Sequence, residues 1–276
     1  MKRTFFLLLL TTHITSMVFA GGSGFSFTNA PLQFRPFAAN TFEPRVGLLW
    51  HATNNRLRLD IGNSIDLVQY TTEGSNRRIT IGSDFFTYTQ LSGEKNFHFP
   101  VDAVDYLFGF NASYADTLAS GSVLTSRLRL SHISAHFVDG HYIGALGIWK
   151  DGMNPRVYSR EFFDLAVAFE PKTALRTYVG FLYLWHVDPT YLKKFEAYAG
   201  AEYHYDLLDM LQTYGAYQFT ATGLLPRHEL QAGVKIGQWA GRGTKLFFIH
   251  HQGNSIHGEY HDRPDDYCGL GFCIDF

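Results

Sequence analysis

The sequence predicts an all-β fold, a single transmembrane antiparallel β-barrel of about 12 strands. Three observations predict it. Apolar and polar residues alternate with a period of two in successive segments, which indicates strands with one apolar and one polar face. Long and short connections alternate along the chain, and the last segment places its apolar residues on one face.

The first 20 residues have the pattern of a secretory signal peptide. Two basic residues precede an apolar run at positions 5–10, and the segment ends on the small residue Ala20. A transmembrane helix is the alternative, but His13 and its Thr and Ser neighbours interrupt the run before the ~20 apolar residues that a span requires. We therefore expect residues 1–20 to be removed and the remainder to be exported to the outer membrane of a Gram-negative-type cell.

Composition excludes some classes of function. The formal net charge is only -2, which gives no electrostatic basis for binding nucleic acid. Cys268 and Cys273 are the two cysteines, and their odd separation places them on opposite faces of a strand, roughly 16 Å apart at ~3.3 Å per residue. We do not expect them to form a disulfide with each other.

The alternation is clearest in three segments. From position 56, one face carries Leu57, Leu59, Ile61, Ile65 and Leu67, and the other carries Arg56, Arg58, Asp60, Ser64 and Asp66. The segments at 194–205 and 229–236 repeat the pattern. A soluble sandwich shows the same local alternation, so the membrane prediction depends on the remaining observations.

The lengths of the connections depend on whether they follow an odd-numbered or an even-numbered segment. We place about 12 segments, with boundary errors of ~2 to 4 residues, and they begin near positions 45, 56, 77, 103, 122, 156, 174, 194, 211, 228, 244 and 267. The longest links, at 92–102, 139–155 and 252–266, all follow odd-numbered segments. In an even-stranded barrel with both termini in the periplasm, those links are extracellular. The barrel is predicted over 45–276, and residues 21–44 are predicted as a periplasmic N-terminal leader, with a segment folded back into the barrel mouth as the alternative.

The end of the chain predicts partners. Leu270, Phe272, Ile274 and Phe276 share one face, an ending that resembles the terminal strand of outer-membrane proteins. We therefore expect two partners, outer-membrane lipid and the barrel assembly machinery, the latter through the strand that ends at Phe276. The oligomeric state is left open. Aromatic residues lie near the ends of several segments, as in the girdles that outer-membrane barrels form at the membrane interfaces. These residues are Tyr70, Tyr114, Tyr203, Tyr205 and Trp239.

Ser134, His132 and Glu161 are the candidate catalytic residues. His132 and Ser134 share a face of the fifth segment, and Glu161 begins the next one, beside them. A serine hydroxyl becomes a nucleophile when an imidazole takes its proton and a carboxylate orients the imidazole. The arrangement resembles that of outer-membrane phospholipase A and lipid A deacylase barrels, in which a His-x-Ser pair faces lipid. A β-bulge that turns these residues toward the lumen is the alternative.

A cluster of histidines and a set of basic residues are the two other candidate sites. His250, His251, His257 and His261 lie near three aspartates, but their spacing matches no zinc pattern. We predict a solvated loop there, with no metal and no cofactor. The cations Arg127, Arg129, Arg160, Arg176 and Lys235 are predicted to face the lumen, with Asp60, Asp164 and Glu202 as partners.

Several motifs together resemble an uncharacterised bacterial family, domain of unknown function 1207. They are RLRLSHISAH at 127–136, YSRE at 158–161, HQGNS at 251–255, FRPFA at 34–38 and EPR at 43–45. The resemblance implies an envelope barrel without an established activity, so it transfers no catalytic role. We expect a structural or transport-type barrel, with a lipid-facing Ser/His esterase as the alternative and adhesion through the long loops as a third possibility.

Overall fold

The computed structural model describes residues 23–28, 30–172 and 174–276, so the predicted signal peptide lies outside the described residues. The strands are β1 (Gly24–Phe27), β2 (Val46–His51), β3 (Arg56–Thr71), β4 (Arg77–Ser92), β5 (Val101–Thr117), β6 (Val123–Phe137), β7 (Tyr142–Ile143), β8 (Ile148–Trp149), β9 (Ser159–Glu170), β10 (Leu175–Asp188), β11 (Phe195–Leu208), β12 (Leu211–Ala221), β13 (Arg227–Gly237), β14 (Gly243–Asn254) and β15 (Pro264–Asp275). Short 3-10 helices cover Lys95–Phe97, Asp139–His141, Lys150–Gly152 and Gly258–Tyr260. Among the described residues, no helix is long and apolar enough to cross a membrane.

Strands β2–β6 and β9–β15 form one closed antiparallel barrel of 12 strands. Each barrel strand pairs with the next one along the chain, and β15 pairs with β2 to close the ring, with Ile274 opposite Val46. β1 extends the sheet beside the end of β3, and β7 and β8 form a small hairpin between β6 and β9. Closure pairs the backbone groups that hydrocarbon cannot satisfy. The predicted fold class is therefore confirmed.

The barrel turns its apolar face outward. In β3, Arg58 and Asp60 are buried inside, whereas Ile61 and Ile65 are about half exposed on the outside. The same phase continues around the wall and produces a band of exposed apolar side chains: Ile81, Phe85, Phe108, Phe110, Leu128, Leu130, Phe163, Leu165, Val179, Phe181, Leu230, Leu246, Leu270 and Phe272. Soluble monomers rarely expose contiguous apolar surface beyond a few hundred Å². A continuous outer band of this kind is typical of a barrel surrounded by lipid.

The two ends of the barrel differ, as the connection lengths predict. The long connections 93–100, 138–158 and 255–263 all lie at one end, which we call the loop end. The opposite end, the turn end, has connections of five residues or fewer. Tyr70, Tyr114, Tyr203 and Tyr205 all lie near the turn end, and Trp239 occupies a turn there, with its ring stacked 4.5 Å from that of His204.

Residues 34–45, which we call the inner segment, lie inside the barrel. Phe34, Phe37 and Ala39 are buried there, and the ring of Phe37 stacks on Tyr178 with centroids 3.6 Å apart. Of the two arrangements that the sequence left open for positions 21–44, the structure has the one in which chain folds back into the barrel. From position 34 onward this segment fills the lumen, because 12 strands enclose more space than their own side chains occupy.

Candidate functional site

His132 and Ser134 face outward, toward the apolar band. β6 pairs with β5 and with β9 without a register shift, so the bulge that would turn these residues inward is absent from these ladders. The intervening residues Ile133 and Ala135 are buried inside the barrel. Of the two orientations considered from the sequence, the outward one is therefore present.

Glu161 meets His132 on the outside wall. The two residues are directly opposite in the β6–β9 ladder, and Nδ1 of His132 lies 2.7 Å from Oε1 of Glu161. The ring of Phe108 lies on the other side of the imidazole, with centroids 4.9 Å apart. The hydroxyl of Ser159 donates a second hydrogen bond to Oε1 of Glu161, at 3.2 Å. A carboxylate that binds Nδ1 leaves Nε2 as the nitrogen able to accept a proton.

A third residue joins this pair, and the sequence analysis did not identify it. Nδ1 of His186 lies 2.5 Å from Oε2 of Glu161. The outward positions of β10 are odd-numbered up to Trp185, so a regular strand would turn residue 186 inward. A bulge between Leu184 and His186 reverses the phase and brings His186 outward. Alternation alone gives no signal for such an irregularity.

Ser134 lies beside this cluster without a bond to it. It is opposite Ser159 on one side and Tyr106 on the other. Within the described residues, its hydroxyl makes no hydrogen bond to His132, whose Nδ1 is already bound to Glu161. The hydrogen bond between carboxylate and imidazole that a catalytic triad requires is thus present, and the one between serine and imidazole is not formed in this conformation.

The inner segment is held by a buried ion-pair cluster. Both terminal guanidinium nitrogens of Arg127 donate to Glu43, at 2.7 and 2.9 Å, and Arg129 donates to the same carboxylate at 2.8 Å. Arg129 also donates to Asp84 at 3.0 Å, and Asp164 lies 3.7 Å from Arg127. The side chains of Glu43 and both arginines are at most 4% exposed. Charges buried this deeply require partners, and here a residue of the inner segment supplies the central one.

Other contacts fix the inner segment around the whole wall. The backbone N–H of Ala38 donates to Glu202 of β11 at 2.6 Å, and the hydroxyl of Thr41 donates to Glu229 of β13. On the opposite wall, Arg58 of β3 donates to the carbonyl of Thr41 at 2.7 Å. The inner segment therefore bridges strands on opposite sides of the lumen.

The cations that the sequence predicted to face the lumen do so. Arg127, Arg129, Arg160, Arg176 and Lys235 are all buried. Of the predicted partners, Asp164 lies near Arg127, and Glu202 lies 3.5 Å from Arg176. Asp60 instead accepts from Arg58, at 2.6 Å. The sequence analysis missed Glu43, because the segment that carries it shows no periodic pattern.

The histidine-rich loop at 255–263 folds into the barrel and is not solvated as expected. His257 is bonded to Asp105 at 2.8 Å, and the backbone N–H of Gly258 donates to the same carboxylate at 2.7 Å. Burial raises the pKa of Glu259, which accepts backbone hydrogen bonds from Phe137 and Arg156. Within the described part of the chain, no three His, Cys, Asp or Glu side chains are placed to hold a metal ion.

Comparison with known proteins gives a family and several distant structures. The sequence model of the family described as protein of unknown function (DUF1207) matches residues 104–276. No curated protein matches the chain. The β domain of the Bordetella autotransporter BrkA is 11% identical, with a TM-score of 0.41, and the match covers 83% of this chain and 96% of that one. Outer-membrane expressed OmpT of Vibrio cholerae is 9% identical, with a TM-score of 0.40 and coverage of 83% and 94%. OccAB1 of Acinetobacter baumannii is 11% identical, with a TM-score of 0.36 and coverage of 92% and 74%.

Proposed function

The chain belongs to the DUF1207 family, whose members have no assigned role, and we propose that it is a transport-type outer-membrane β-barrel that its own inner segment keeps closed. The loop end would face the outside of the cell and the turn end the periplasm, because long loops are extracellular in such barrels. The observation that carries the proposal is the bridge from Glu43 to Arg127 and Arg129 inside a closed 12-stranded wall.

Polar attachment of the inner segment supports transport over a purely structural role. The segment is held by ion pairs and hydrogen bonds to opposite walls, and water can replace such bonds when the segment leaves. A wall lined with arginines and carboxylates would remain hydrated once vacated. The loop at 255–263 lies at the loop end, where His257 is bonded to Asp105.

We expect the wild-type chain, expressed in a Gram-negative host, to fractionate with the outer membrane and to require detergent for extraction. Hydrocarbon-facing residues such as Phe110 and Leu165 have no other cover in the described structure. In planar bilayers the same preparation should show no steady conductance. A protein that stays monodisperse in buffer without detergent would contradict the location, and a permanently open current would contradict closure.

A second candidate function is a lipid-facing esterase, which the His132–Glu161 pair favours. In this proposal Ser134 is the nucleophile, His132 the general base and Glu161 the residue that orients the imidazole. The cluster faces lipid beside Phe108, so its substrates would be the acyl chains of phospholipid or lipid A. The geometry requires Ser134 to turn toward Nε2 of His132 during catalysis.

Acyl release from labelled outer-membrane lipid tests the esterase. Ser134→Ala and His132→Ala should each reduce release by at least 10³-fold, as expected when a triad member is lost. His136→Ala is the matched control, because His136 faces the same side of β6 but makes no bond to Glu161. The esterase proposal is dropped if the wild type releases no acyl chain or if the control loses as much activity.

A further inference from the structure

Two small cavities lie inside the barrel between the inner segment and the wall. Each has a volume of about 40 Å³, and they share Phe42, Arg160, Glu196 and Arg227. We call the pair the arginine cavity. Its upper part is also lined by Leu192, Leu224 and Ile256 from three connections at the loop end, so it reaches the loops.

The arginine cavity has more positive than negative charge. Arg160 donates to one oxygen of Glu196 at 3.1 Å, and Arg227 donates to the other at 3.4 Å. One carboxylate therefore serves two guanidinium groups. Lys193 is the further charged residue that lines the upper part. Arg129 and Asp164 line only the lower part, where they belong to the Glu43 cluster.

Both arginines have an unused donor. Their side chains are 7% and 9% exposed, and neither Nε–H has a hydrogen-bond acceptor in the described structure. Glu229, two residues along β13, accepts hydrogen bonds from Thr41 and Gln218, and no hydrogen bond joins it to Arg227 within the described residues. A buried donor without an acceptor costs ~1–3 kcal/mol. An anionic acceptor that reached these two groups would remove that cost at both arginines.

The rest of the lining is mixed, and part of it is apolar. The ring of Phe42 lies between the two guanidinium groups, 5.5 Å from Cζ of Arg160 and 4.8 Å from Cζ of Arg227. Leucine and isoleucine side chains extend the apolar part of the upper cavity, and Thr222, Asn254 and Ser255 add polar groups there. The apolar part packs well against a hydrocarbon body, whereas it offers a hydrated inorganic anion no replacement for the water that it loses.

We infer that the arginine cavity binds a small organic carboxylate with an apolar body, which enters from the loop end. A guanidinium group matches a carboxylate in geometry and charge. At ~10–15 Å³ for each water-sized group, each of the two parts holds roughly three or four such groups. A ligand that spans both parts would be a branched carboxylic acid of about six or seven non-hydrogen atoms. The inference relies on the proposed function only for which end of the barrel faces outside.

Calorimetric titration of the full chain in detergent tests this inference with three probes: isovalerate, its neutral analogue isovaleramide, and inorganic phosphate. We expect isovalerate to bind saturably and both other probes to bind at least tenfold more weakly. Arg227→Gln should weaken isovalerate binding at least tenfold. Arg56→Gln is the matched control, since Arg56 lies at the loop end outside the cavity and pairs with Asp265, and it should bind within twofold of wild type.

A second variant avoids substitution in the barrel wall. Leu192→Trp adds volume from a loop residue and should abolish isovalerate binding while leaving the barrel folded. The inference is overturned if isovalerate does not bind wild type, if isovaleramide or phosphate binds as tightly, or if neither Arg227→Gln nor Leu192→Trp weakens binding. These outcomes are separate from the conductance result, because titration in detergent does not require a conducting barrel.

Discussion

Replacing Glu43 with alanine is expected to open the barrel. The change leaves Arg127 and Arg129 buried without the carboxylate that they share, and of the described carboxylates that pair with them Asp84 and Asp164 remain. Removing one partner of a buried ion pair costs ~3–5 kcal/mol, because the remaining charge is uncompensated. Water that enters the lumen would relieve this cost if the inner segment left. Current steps in planar bilayers, absent from wild type, should therefore appear in Glu43→Ala.

Glu73→Ala provides the matched control for this experiment. Glu73 is an exposed carboxylate in a connection at the turn end, so its removal should leave the barrel closed. Limited proteolysis gives a second measurement, since the inner segment of Glu43→Ala should become cleavable while the strands remain protected. If Glu43→Ala stays closed and its inner segment stays protected, then the ion-pair cluster does not hold the barrel shut.

The strands could be predicted from the sequence because period two is a local property. The outward phase of Ile61 and Ile65 follows from side-chain alternation alone, without knowledge of any distant contact. The inner segment offers no such pattern. Glu43 is bound by Arg127, 84 positions away, and the lumen that receives Glu43 exists only once the barrel has closed. The sequence of such a polar segment therefore does not predict whether the segment lies inside or outside the barrel.

The candidate cluster on the wall was predictable in part. Glu161 meets His132 because β6 and β9 are neighbours in a regular ladder, which strand order and phase together predict. The outward direction of His186 could not be predicted, since it depends on a bulge in β10. The buried loop at 255–263 was misjudged because its polar composition is typical of a solvated loop. Its burial depends on Asp105 of β5, more than 100 positions earlier.

The second large effect is expected from Leu165→Arg, compared with Leu146→Arg. Both leucines are exposed, at 47% and 67%, but Leu165 lies in the middle of β9 within the apolar band, and Leu146 lies in the connection between β7 and β8. The cross-strand neighbours of Leu165 are Leu128 and Phe181, which are also apolar and outward. A charge at the bilayer midplane costs ~2–4 kcal/mol in a barrel, whereas a surface substitution in water changes stability by about 0.5 kcal/mol or less.

Urea unfolding of the two variants in lipid vesicles distinguishes a membrane barrel from a soluble one. In a soluble protein both introduced arginine side chains would be hydrated, so the two variants would be equally stable. Leu165→Arg should lower the free energy of unfolding by ~2–4 kcal/mol, and Leu146→Arg should remain near wild type. Leu165→Phe controls for shape, because it keeps an apolar side chain on the wall and should cost little. Equal stability of the two arginine variants would mean that the outer band does not face hydrocarbon. The barrel would then be a soluble one, and the ion pairs of Glu43 would lie in its core and not in a lumen within a membrane.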